Sequence, residues 1–140
     1  TIIRGNVSIN DGIRPYPTHK GMFSPTFHLT GPIENTHIYD NLIIIPKKAE
    51  GVDNTLVDID NWGGPWPKNT LLENNSIHFE DEIKVSLKDI KDVFFKNNTL
   101  SKKVTNIGQD NNQIMPNTPF NLKTLAGLAQ AKLNEPKAYK

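Results

Sequence analysis

Leu42-Ile43-Ile44-Ile45-Pro46 and, after a polar loop through Lys47, Lys48, Glu50 and Gly51, Leu56-Val57-Asp58-Ile59-Asp60 are the stretch on which the fold reading turns. An unbroken aliphatic run, closed by a proline that cannot donate to a ladder, describes a strand buried on both faces. The second segment alternates, with Val57 and Ile59 opposed to Asp58 and Asp60. That is the pattern of a strand with one face on a core and the other in water. Joined by the intervening loop, the two read as an antiparallel hairpin with a long connection. Asp58 and Asp60 then form a solvent-facing row.

Upstream, Ile3, Val7 and Ile9 alternate with polar residues before the turn chemistry of Asn10-Asp11-Gly12. Arg14 to Pro32 is punctuated by Pro15, Pro17, Pro25 and Pro32. Each proline biases its predecessor toward extended geometry, so the segment reads as an extended arm. One short strand is expected within it, Thr26 to Thr30, with Phe27 and Leu29 toward a core. Downstream, Asn61-Trp62-Gly63-Gly64-Pro65-Trp66-Pro67 excludes regular structure, and strand character returns at Ile77-His78-Phe79 and Ile83-Lys84-Val85.

Two helices are expected. Ser86 with Asp89 approximates a capping box, and Leu87, Ile90 and Phe94 fall on one face before Asn97-Asn98. Thr118-Pro119 announces the second, whose stripe is Leu122, Leu125, Ala126, Ala129 and Leu133, with Pro136 as its stop. Between them, 99–117 reads as a linker. No internal repeat is evident. The fold expected is α+β: a small, mainly antiparallel sheet with one short helix, one C-terminal helix and extended Pro-rich arms. It forms one domain, with a β-rich core at 1–98, a linker at 99–117 and the C-terminal helix at 118–135.

Composition bounds the function. Only 36% of the 140 residues are hydrophobic, which implies a thin core. Lys and Arg total 16 against 15 acids, a balance unlike that of dedicated nucleic-acid or membrane-surface proteins. With no cysteine there is no disulfide framework and no thiolate chemistry. The longest apolar run, Leu42 to Ile45, is far short of the ~20 residues that span a bilayer. Thr1 in place of Met reads as a processed or excised chain. Phosphate-cradling glycine loops, Gly-x-Ser-x-Gly and His-Glu-x-x-His are all absent.

Histidine supplies the catalytic candidates. His19, His28 and His37 fall close together, and alternation puts His28 and Thr30 on the same side of a strand. Two imidazoles with a hydroxyl and a lysine can run metal-free phosphodiester cleavage, one as base and one as acid. No helical His pair or cysteine completes a metal site, and Asp58-x-Asp60 departs from a calcium loop at Trp62 and Asn69, so neither metal nor cofactor is expected. Trp62 and Trp66, held up by Gly and Pro, suit stacking on sugars, bases or a partner protein. Arg14, Tyr16, His19 and Lys20 give the arm aromatic and basic contacts.

The sequence therefore points to a non-catalytic structural or binding subunit of a larger assembly. Its partners are other protein subunits, met through Trp62, Trp66, Tyr16, Arg14 and Lys20. The alternative is a small metal-independent ribonuclease acting on RNA, with His28 and His37 as acid and base, supported by Thr30 and His19.

Overall fold

The alternating strands carry their polar residues outward and their apolar residues inward, and the chain satisfies that pattern by coiling. The computed structural model describes residues 1–11, 24–87, 92–107, 110–115 and 119–136. In chain order the strands are β1 (Ile2–Arg4), β2 (Val7–Ile9), β3 (Pro25–Thr30), β4 (Glu34–Tyr39), β5 (Leu42–Ile45) and β6 (Thr55–Asp60). They continue as β7 (Lys68–Glu73), β8 (Ser76–Phe79), β9 (Lys84–Ser86), β10 (Val93–Lys96), β11 (Thr99–Leu100) and β12 (Gln113–Ile114), and helix α1 (Leu122–Leu133) follows. They lie in three sheets ordered β1-β4-β7-β10, β12-β11-β8-β5-β2 and β3-β6-β9, and every pairing among the described residues is parallel. From β1 to β11 consecutive strands visit different sides and each turn of the coil stacks on the last, which makes a three-sided parallel β-solenoid.

This overturns the expected α+β fold with a mainly antiparallel sheet. Leu42–Ile45 does not pair with 56–60: it lies between β2 and β8, whereas β6 lies between β3 and β9. Alternation reports which face of a strand is buried and is blind to the direction of its neighbour. The short helix beginning at Ser86 is also corrected. Ser86 ends β9, and Phe94, expected on that helix, lies in β10. The stretch read as a linker carries β11 and β12, which extend the second sheet. α1 is the one helix among the described residues, and no helix there is long and apolar enough to cross a membrane.

The interior is filled by like residues stacked in register. Ile3, Ile38, Leu72 and Phe95 line one side, Ile43 over Ile77 and Ile45 over Phe79 the second, and Leu29 over Ile59 and Val57 over Val85 the third. Most strands contribute only one or two apolar side chains to this narrow column. The modest apolar content of the sequence fills it.

One corner is held by an asparagine ladder. Asn6 donates its side-chain amide to Asn41 Oδ1 (3.1 Å), Asn41 to Asn75 Oδ1 (2.9 Å), Asn75 to Asn98 Oδ1 (3.0 Å) and Asn98 to Asn112 Oδ1 (3.0 Å). The backbone N–H of each donor residue reaches the same oxygen. The remaining amide hydrogens of Asn41, Asn75, Asn98 and Asn112 go to the carbonyls of Ile3, Ile38, Leu72 and Phe95. Buried amides are tolerated because this network is complete. Each ladder residue follows one with positive φ: Gly5 (62°), Asp40 (55°), Asn74 (53°), Asn97 (54°) and Asn111 (56°). The left-handed residue turns the corner, a task Gly, Asn and Asp perform at least cost.

These pairs are the internal repeat that sequence reading missed. Successive ladder residues are 35, 34, 23 and 14 apart, and so uneven a spacing shows no fixed period. The turns shorten by trimming loops while the corner is kept.

Leu42 and Ile44 point outward and are covered by Leu125 and Ala129 of α1, with Val7 and Phe120 alongside. The helix is capped by Asn121, whose side chain accepts from the Thr124 amide (3.1 Å). The expected start at Thr118-Pro119 is thus later in the chain, and Thr118 itself lies outside the described residues. Of the expected stripe only Leu125 and Ala129 are buried.

Candidate functional site

Parallel stacking brings residues from successive turns into columns, and on the β3-β6-β9 side one column is ionisable. Phe27 and Leu29 pair in register with Val57 and Ile59 and face inward, so His28 and Thr30, paired with Asp58 and Asp60, face outward. Neighbouring strands lie ~4.8 Å apart, so side chains of one column are within reach of each other. His28 Nε2 lies 3.1 Å from Asp60 Oδ2 and 3.9 Å from Asp58 Oδ2. The imidazole thus leans along the strand, over the next residue pair.

Asp58 and Asp60 are not the solvent-facing row their alternation implied. They retain only 4% and 5% exposure, while the His28 side chain is 28% exposed. The two acids differ sharply in their support. Burial works to raise the Asp60 pKa, but hydrogen bonding from Thr30, His28 and the Trp62 backbone, with the charge of His28, outweighs it and lowers the value to about 2. The Trp62 amide donates to Asp60 Oδ1 at 3.2 Å. The Thr30 hydroxyl lacks a hydrogen bond of full geometry, yet its proximity still favours the ionised carboxylate. Asp58 Oδ2, by contrast, is buried and accepts no hydrogen bond.

The loop after β6 shapes the rim. Gly64 N–H closes a turn onto Asn61 O (2.7 Å), with Gly63 at φ 71°. This lifts the Trp62 indole edge-on to the His28 ring, centroids 6.1 Å apart and planes at 75°. Trp62 is 82% exposed and Trp66 38%. The bare indole is tied to the buried Asp60 carboxylate through its own backbone amide.

No family model, curated protein or solved structure matches the chain.

Of the residues singled out in the sequence, the structure gathers His28, Thr30 and Trp62 and leaves His37 elsewhere. His37 stands on β4 in another sheet, stacked on Tyr39 (4.2 Å between centroids, 29° between planes), with Nε2 3.3 Å from Glu73 Oε2. Arg4 Nη1 donates to the Tyr39 hydroxyl beside it (3.0 Å). His19, Arg14, Tyr16 and Lys20 lie outside the described residues. Asp58 and Asp60, weighed in the sequence only as a calcium loop and read as a solvent-facing row, join His28 in the site. Their signal was the pair of matching alternations, His28-x-Thr30 and Asp58-x-Asp60, one turn of the coil apart. A separate cleft of about 620 Å³ opens between β1 and the end of α1, lined by Arg4, Asn6, Tyr39, Asp40, Lys132 and Glu135 among others. It shares no residue with the His28 cluster.

Proposed function

We propose that the protein is a binding module for glycans, with the Trp62 loop and the adjoining His28–Asp58–Asp60 column as its contact surface. The observation that carries this reading is the 82% exposure of Trp62 beside buried carboxylates. The flat apolar face of a sugar ring suits an exposed indole, and carboxylates and imidazole suit its hydroxyls.

Polar surroundings favour this over a protein hot spot, which would sit in a contiguous apolar patch. Trp62 is instead bordered by Asn61, Gly63, His28 and Asp60. Phosphodiester cleavage by His28 has less support. Its two flanking carboxylates oppose an approaching phosphate, and His37 belongs to another sheet. A solenoid face also offers repeated rows along which an extended polymer can lie.

The test is intrinsic fluorescence during titration with a panel of neutral oligosaccharides, alongside an RNA oligonucleotide. A saturable change in tryptophan emission is expected with a glycan, lost in Trp62→Ala and kept in Trp66→Ala. A response to RNA alone, to no glycan, or one indifferent to Trp62 refutes the reading.

A further inference from the structure

We infer that His28, Asp58 and Asp60 form a binding site for a divalent transition-metal ion of the zinc class. The inference rests on the three side chains themselves and holds whether or not Trp62 binds glycans.

The geometry comes first. One ligand atom from each residue, an imidazole nitrogen and two carboxylate oxygens, lies within 4.8 Å of the other two. The two distances from His28 Nε2 are 3.1 and 3.9 Å. Bonds of ~2.0–2.2 Å to a tetrahedral ion place ligand atoms roughly 3.4 Å apart. The column brackets that spacing without movement of the backbone. Two of the three ligands sit on one strand, two residues apart, and the third stands on the preceding turn in register, so regular pairing holds the set.

The second observation is independent of the clustering. Asp58 is 96% buried by exposure, at 4%, and its Oδ2 points at His28 and Asp60 with no hydrogen-bond donor serving it. Burying a carboxylate is costly unless it is paired or coordinates a metal. Asp60 has its donors, including the Trp62 amide, and Asp58 Oδ2 does not. Its nearest opposite partner is His28 at 3.9 Å, which is cationic only when protonated. A divalent ion satisfies both carboxylates at once and takes the neutral imidazole that a protonated histidine would deny it.

The donor set selects the ion. Calcium and magnesium take all-oxygen shells of six or more ligands, whereas one imidazole with carboxylates suits zinc and its neighbours. Three protein ligands leave at least one coordination position, the arrangement in which a bound water or ligand oxygen completes the shell.

The experiment is calorimetric titration of the full chain with Zn²⁺ alone, with Ca²⁺ as comparison, on the parent and on Asp58→Asn, His28→Ala and His37→Ala. One saturable Zn²⁺ site is expected, weakened by ~100-fold or more in Asp58→Asn and His28→Ala and unchanged in His37→Ala. Thermal melts keep the result interpretable. Metal-free Asp58→Asn should melt no lower than the parent, because a carboxylate lacking a donor is removed, and Zn²⁺ should raise the melting temperature of the parent and of His37→Ala but not of Asp58→Asn or His28→Ala. Absence of saturable Zn²⁺ binding overturns the inference. So does binding that survives Asp58→Asn, tracks His37, or prefers Ca²⁺.

Discussion

Replacing Asn75 by alanine probes the device that holds the turns of the coil in register. The Asn75 side chain accepts from the Asn41 backbone N–H (3.1 Å) and from Asn41 Nδ2 (2.9 Å), and donates to Ile38 O (2.9 Å) and Asn98 Oδ1 (3.0 Å). Truncation strands two donors on Asn41, which is itself only 3% exposed. At ~1–3 kcal/mol for each buried group left without a partner, the expected loss is ~2–6 kcal/mol. A domain's whole stability is about 5–15 kcal/mol, so the variant should be severely weakened. Asn6, at the open end, makes the comparison. Its exposed side chain donates to Asn41 Oδ1 (3.1 Å), and that oxygen keeps the Asn6 backbone N–H (3.0 Å) after truncation. Asn6→Ala should cost less than ~1 kcal/mol. Urea unfolding followed by circular dichroism measures both. Equal losses, or a loss below ~1 kcal/mol for Asn75→Ala, would refute the argument that completeness of the ladder fixes the coil.

Two further outcomes follow from the packing. Leu125→Ala should cost about 2 kcal/mol by undocking α1 from Leu42 and Ile44, whereas Leu128→Ala, 47% exposed, should cost less than ~0.5 kcal/mol; similar values for the two in the same unfolding assay would contradict the helix placement. His78 is buried and its pKa is lowered by that burial. The unfolded chain therefore holds the proton more readily, and stability is full above the ordinary histidine value near 6.5 and falls as pH drops below it, levelling off under the lower folded value. His78→Leu should flatten that slope in unfolding midpoints measured from neutral pH downward, and an unchanged slope would exclude His78 as its source.

The sequence by itself determined the local conformations that depend on neighbours a few residues away. Leu42–Ile45 and 56–60 were legible as strands because apolar runs and period-two alternation report burial directly. Its correct division of Val57 and Ile59 from Asp58 and Asp60 gave the inward and outward faces. Two glycines and two prolines within five residues also marked Asn61 to Pro67 as irregular, which left Trp62 available for contact.

Only tertiary structure decided which strands meet and in which direction. Partners on one sheet are 14 to 35 residues apart, and alternation looks the same beside a parallel or an antiparallel neighbour. The repeat hid in five corner pairs, Gly5-Asn6 to Asn111-Asn112, because loops of unequal length blur its period. The same fact conceals the site. His28 and Asp60 are 32 residues apart, and they approach to 3.1 Å because a complete turn of the coil returns the chain to the same face.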